Sequence, residues 1–164
     1  MSGQQVAFLV CAAIILVSAG GVVTQRNLFH AALSLVACFV GVAGLYVLLQ
    51  AEFLAVAQVL IYVGAVTVLI LFGIMLTRHF SGGRVPMLAS YWKYALGGAV
   101  AFLSLLLYVC SSGIWPTSEQ PAVDATLAIG QRLVLEYLLP FELASLILLA
   151  ALVGAVLIAK DERR

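Results

Sequence analysis

Glu52-Phe-Leu-Ala-Val-Ala-Gln58-Val-Leu-Ile-Tyr62-Val63-Gly64-Ala-Val-Thr67-Val-Leu-Ile-Leu-Phe-Gly73-Ile-Met75-Leu76 opens on a carboxylate and then carries no further formal charge. A hydrocarbon core roughly 30 Å thick needs about 20 apolar residues at the helical rise. This stretch meets that length and predicts a membrane-spanning helix. Gln58 and Tyr62, four apart, share its face, and Gly73 returns near that face at α-helical spacing.

The same window finds four more spans, so the five lie near residues 6–23, 31–49, 53–76, 94–114 and 138–159. The fold class predicted is therefore all-α: an integral membrane bundle of five transmembrane helices forming a single domain over residues 1–164. The composition agrees, with 65% hydrophobic and 9% charged residues among 164 and a mean hydropathy of +1.19. Soluble domains run nearer half apolar and a quarter charged. A nucleic-acid surface, a disordered chain and a secreted disulfide scaffold are all excluded by that balance and by a net charge of +1.

The first span has no basic leader and no small-residue cleavage pattern, and it reads as a permanent helix. Only the Gln50-Ala51-Glu52 neighbourhood separates the second and third spans, which predicts a tight antiparallel pair. The long connections fall near residues 77–93 and 115–137, where Ser81, Gly82, Gly83, Pro86, Pro116 and Pro121 predict turns and irregular backbone. Five spans place Arg26, Arg78, Arg84, Lys93, Lys160, Arg163 and Arg164 on one side and leave Arg132 alone on the other. By the positive-inside rule the N-terminus is expected outside and the C-terminus in the cytoplasm. Trp92 and Trp115 bracket the fourth span as interfacial anchors.

Polar groups at membrane depth are costly, and Glu52 and Glu142 are the carboxylates at the span edges. Each is expected either to cap a helix start or to meet a polar partner. Tyr62-Val63-Gly64 has two readings. It is an ordinary seam where Gly64 and Gly73 let backbones approach. Alternatively it is a weak point, since glycine costs about 1 kcal/mol against alanine in a helix. A π-bulge there would insert a residue and turn everything beyond it by roughly 100°. Ala37 with Gly41, Ala150 with Gly154 and Ala151 with Ala155 are further small-residue pairs expected at close helix contacts in a compact bundle. Cys11, Cys38 and Cys110 read as apolar packing residues, and His30 and His79 as isolated boundary residues. The spans hold no lysine, no histidine at mid-membrane depth and no acid–base pair, too little for an independent pump.

At the third span the sequence resembles the subunit J family of bacterial respiratory complex I, the counterpart of mitochondrial subunit 6. The resemblance rests on Ala51-Glu52-Phe53, Gln58 to Val66, Val68 to Phe72 and Met75-Leu76, with support from Tyr137 to Ser145, Ala151 to Val156 and the start Arg26-Asn27 followed by His30-Ala31-Ala32. It implies a subunit of a proton-translocating NADH:quinone oxidoreductase with no catalytic centre, cofactor or metal of its own. NADH, FMN, iron–sulfur clusters and quinone are then held elsewhere in the complex. The implied partners are the quinone-site subunit, small three-helix subunits, antiporter-like subunits and the lipid bilayer, in a bacterial inner membrane and with no nucleic acid. Tyr62, Val63 and Gly64 become the gate, a π-bulge whose conversion to α-helix opens a hydrated path. Glu52, Gln58 and Glu142 become its polar or proton-path partners. Rival readings are a homologous subunit of an ion-translocating hydrogenase or multisubunit cation/proton antiporter, and a small homo-oligomeric transporter.

Overall fold

The computed structural model describes residues 2–77, 92–113 and 125–161. Among them the chain is helical and contains five helices long and apolar enough to cross a membrane. Arg78, His79, Ser81, Gly82, Gly83, Arg84, Pro86, Trp115, Pro116, Pro121, Arg163 and Arg164 lie outside the described residues.

Helix α1, Gly3–Thr24, starts on a capping box in which Ser2 Oγ accepts from the Gln5 N–H while Ser2 N–H donates to the Gln5 side chain. Those two bonds satisfy amides that a helix start otherwise leaves bare. Helix α2, Leu28–Leu48, is capped by Asn27, whose side-chain oxygen accepts from the Phe29 N–H at 3.0 Å. It ends in a Schellman turn: Ala51 N–H donates to the Tyr46 carbonyl, Gln50 N–H to Val47, and Gln50 stands in the left-handed region at φ 57°. The third helix, α3, follows at once over Glu52–Thr77, so the second and third spans form the tight pair expected.

Helix α2 lies between α1 and α3 and packs on both. Its α1 side is a seam of small residues. A Cβ built on Gly41 would stand 2.7 Å from Ile15 Cγ1, and one on Gly44 would stand 2.9 Å from the Cys11 sulfur. Gly21 of α1 similarly faces the Ser34 hydroxyl, which would be 2.9 Å from a Cβ there. Ala37, expected in this seam, is exposed while Gly41 is buried. Toward α3, α2 presents the buried Ala32 and Ala43 and the Phe39 ring.

Among the described residues those buried are Ala32, Gly41, Ala43, Ala55, Gln58 and Thr67, whereas large aliphatic and aromatic side chains are widely exposed. That reverses a soluble core. Lipid tails are as apolar as leucine, so bulky side chains gain little by turning inward and small residues hold the contacts.

Helix α4, Trp92–Ser111, begins two residues before the expected span and ends earlier than expected, with Gly113 left-handed at φ 64°. The connection over 115–137 departs further from expectation, because its second half is a helix, α5, Ala125–Leu135. It is too short to span, and a window matched to membrane crossings passes over it. Glu136 and Tyr137 N–H groups both close on the Arg132 carbonyl. The chain then turns into α6, Leu138–Asp161, against which α5 packs. Pro140 falls in the first turn of α6, where a missing N–H is harmless. Of the expected pairs Ala150 with Gly154 and Ala151 with Ala155, the three alanines are exposed, and a Cβ on Gly154 would meet nothing within 4 Å among the described residues.

Candidate functional site

Within α3 the hydrogen-bond ladder changes step. Glu52–Ala57 is α-helical, Gln58–Val66 is π-helical, and Thr67–Thr77 is α-helical again. The flanking Ala57 and Thr67 keep ordinary right-handed backbone angles, φ −59°, ψ −42° and φ −67°, ψ −41°. The widening is therefore confined to the segment centred on Tyr62, Val63 and Gly64. Valine and isoleucine at 59, 61, 63 and 66 are middling helix formers, and glycine is poorer. At Gly64 a Cβ would stand 3.4 Å from the Val59 carbonyl oxygen, five residues back.

Gln58, the first residue of the wide turn, is 8% exposed and makes no side-chain hydrogen bond among the described residues. Tyr62 is half-exposed, its ring edge-on to Phe39 with centroids 5.5 Å apart and planes at 63°. Thr67 closes the segment. It is 1% exposed, and its hydroxyl donates to the Tyr62 carbonyl at 2.6 Å. Gly73 does not share the buried environment of Gln58, for it is exposed with nothing within 4 Å of a built Cβ. The expectation assumed unbroken α spacing, and the π segment changes the phase between the two residues.

Glu52 is exposed in the first turn of α3, where Ala51 provides no side-chain cap. It lines a cleft of about 900 Å³ with Gln50 and with Thr126, Gly130, Gln131 and Val134 of α5. Glu142 is exposed one turn into α6 and does not line that cleft. Its carbonyl accepts from the Ser145 hydroxyl at 2.7 Å, but neither carboxylate has a hydrogen-bond partner among the described residues.

The structure thus gathers Gln58, Tyr62, Val63 and Gly64 in one widened segment, sets Glu52 against α5, and leaves Glu142 apart from both. Sequence reasoning missed Phe39, Thr67 and the cleft residues of α5. Thr67 did leave a signal: it is the hydroxyl residue within an otherwise apolar run after Tyr62, five positions on. Among the described residues no group of three or more His, Cys, Asp or Glu side chains is placed to hold a metal ion.

The profile of the NADH-ubiquinone/plastoquinone oxidoreductase chain 6 family matches residues 18–158. NAD(P)H-quinone oxidoreductase chain 6 of Leptolyngbya boryana is 42% identical over 162 residues, covering 97% of this chain and 81% of the relative. The Synechocystis protein of the same name is 40% identical over 168 residues, covering 97% and 82%. The F(420)H(2) dehydrogenase subunit J of Methanosarcina mazei is 41% identical over 153 residues, covering 86% and 82%. The chain belongs to the NADH-ubiquinone/plastoquinone oxidoreductase chain 6 family.

Proposed function

We propose that this chain is a non-redox membrane subunit of a proton-translocating NADH:quinone oxidoreductase, in which the third span exchanges π and α register at Tyr62-Val63-Gly64 and so gates a proton path. The observation that carries the reading is the π segment Gln58–Val66 lying inside an apolar span with that triplet at its centre. Converting it to α-helix removes one residue's worth of turn, roughly 100°, and re-aims every side chain beyond it. Gln58 is the inward polar group of the segment, and Glu52 and Glu142 are the carboxylates that polar partners or water would meet. Two similar proteins are named for different electron donors, NAD(P)H and F(420)H(2). That supports a subunit shared by complexes with different electron donors, with NADH, FMN, iron–sulfur clusters and quinone held by other subunits.

The partners in this reading are the quinone-site subunit, the small three-helix subunits and the antiporter-like subunits. The open faces of α4 and α6 leave room for them. The chain forms one five-span domain of a bacterial inner membrane, N-terminus outside, the orientation supported by the one-sided placement of its basic residues.

Gly64→Val in the assembled complex tests the gate. A β-branched valine, whose Cβ would already touch the Val59 carbonyl oxygen at 3.4 Å, restricts a turn that glycine leaves free. Proton translocation per quinone reduced should fall while subunit content stays normal. An unchanged ratio at normal assembly would overturn the gate.

A further inference from the structure

The hydroxyls of Thr24, Ser34, Thr77, Ser104, Ser111 and Ser145 each donate to a carbonyl three or four residues back. That is the ordinary habit of such side chains on a helix. Thr67 reaches five residues back instead, to the Tyr62 carbonyl at 2.6 Å. Its own backbone N–H is divided between the Tyr62 and Gly64 carbonyls. A divided N–H is a poorer partner than a straight bond, so the Tyr62 carbonyl takes its best hydrogen bond from the side chain. At 1% exposure Thr67 has no water for its hydroxyl to fall back on, so the Tyr62 carbonyl is the partner that satisfies it.

We propose that Thr67 is a positioning residue that selects the π register of the third span, its hydroxyl completing the Tyr62 carbonyl that the wide turn leaves half-satisfied. In an α register the N–H of Val66 closes on Tyr62, and the Thr67 hydroxyl moves to Val63, whose carbonyl the Thr67 N–H already satisfies. The hydroxyl therefore stabilises the π form more than the α form. Through that bond it also sets where Tyr62 stands against Phe39. The functional consequence rests on the gate reading above, whereas the register effect stands on the hydrogen bonds alone.

The test uses the full assembled complex carrying Thr67→Val, which is nearly isosteric, and Thr67→Ser, which restores the hydroxyl. Two quantities are read: the register of residues 58–67 in a cryo-electron-microscopy map, and protons translocated per quinone reduced in proteoliposomes. Losing one buried hydrogen bond shifts the π-to-α ratio toward α by about tenfold. Thr67→Val should show α density there and a lower proton ratio, and Thr67→Ser should match the wild type in both. A Thr67→Val complex that keeps the π register overturns the proposal, as does a Thr67→Ser complex that loses it. An α register with an unchanged proton ratio supports the role of Thr67 and overturns the gate. Should Thr67→Val not assemble, Thr67→Ala removes the same bond and is judged by the same two readings.

Discussion

The Tyr62 ring stands edge-on against the Phe39 ring, 5.5 Å between centroids, and this contact ties the middle of the π segment to helix α2. Edge-to-face aromatic pairs contribute about 0.5–1.5 kcal/mol beyond the area they cover. Tyr62 is half-exposed, and Phe39 is the aromatic ring against which it rests.

Phe39→Ala removes that neighbour without touching the π segment. The expected outcome is a complex of normal subunit content whose quinone reduction slows about threefold to tenfold, in keeping with ~1 kcal/mol of lost orientation. Phe39→Leu keeps bulk and should fall between. Wild-type turnover and proton ratio in Phe39→Ala would show that the ring does not hold Tyr62 in place.

At Gly41 the α1–α2 seam leaves no room for a side chain. A methyl added there meets Ile15 Cγ1 at 2.7 Å, Ile14 Cγ2 at 3.3 Å and the Cys11 carbonyl at 3.5 Å. Overpacking of this kind costs about 1–3 kcal/mol. Gly41→Ala should lower the thermal inactivation temperature of the complex, and Ile15→Ala, which removes the offending Cγ1, should restore part of it. In a double-mutant cycle the pair should couple by roughly 0.5–3 kcal/mol. Additive losses would mean that the seam relaxes elsewhere.

How much of this was legible follows from what membrane solvent demands. The long apolar spans stood out because a lipid core tolerates few charges over its whole width. The tight pair around Gln50 was equally plain, since no residues remain for a longer loop. Helix α5 was not, because an 11-residue helix falls below the length that a membrane-crossing window detects. The phase of Gly73 failed for a different reason. Periodicity assumes one helical pitch, and the wide turn at Tyr62 breaks it through hydrogen bonds that no side-chain pattern displays. Thr67 was visible as a hydroxyl in an apolar run but its role was not, since the run does not say which carbonyl that hydroxyl meets until the register is known.

Gln50 holds a left-handed conformation at φ 57° with a Cβ that opposes it. Glycine at that place in a Schellman turn relieves roughly 1–2 kcal/mol. Gln50→Gly should slow amide exchange at residues 50 and 51, whose N–H groups close the turn on Val47 and Tyr46. Gln50→Val should quicken it. Equal exchange in the three proteins would mean that the turn is held by the packing of α2 on α3 and not by its own backbone.

Glu52 and Glu142 differ in surroundings, and that difference makes a prediction about which of them acts. Glu52 shares its cleft with two amides and a hydroxyl, Gln50, Gln131 and Thr126. A neutral amide suits such a cleft, so Glu52→Gln should assemble normally and be read for chemistry alone. If this carboxylate passes protons toward Gln58, six residues along α3, and Tyr62, ten residues along it, its loss should slow proton translocation by at least about tenfold. Glu142 stands exposed on α6, and among the described residues its carboxylate has no hydrogen-bond partner. If an adjoining subunit supplies the donor that a carboxylate at a span edge favours, Glu142 belongs to an interface. Glu142→Leu should therefore weaken retention of a neighbouring subunit on purification, with Glu142→Gln milder because an amide still accepts a hydrogen bond. Normal retention in Glu142→Leu together with slowed proton transfer would reverse the assignment and make Glu142 the group in the path.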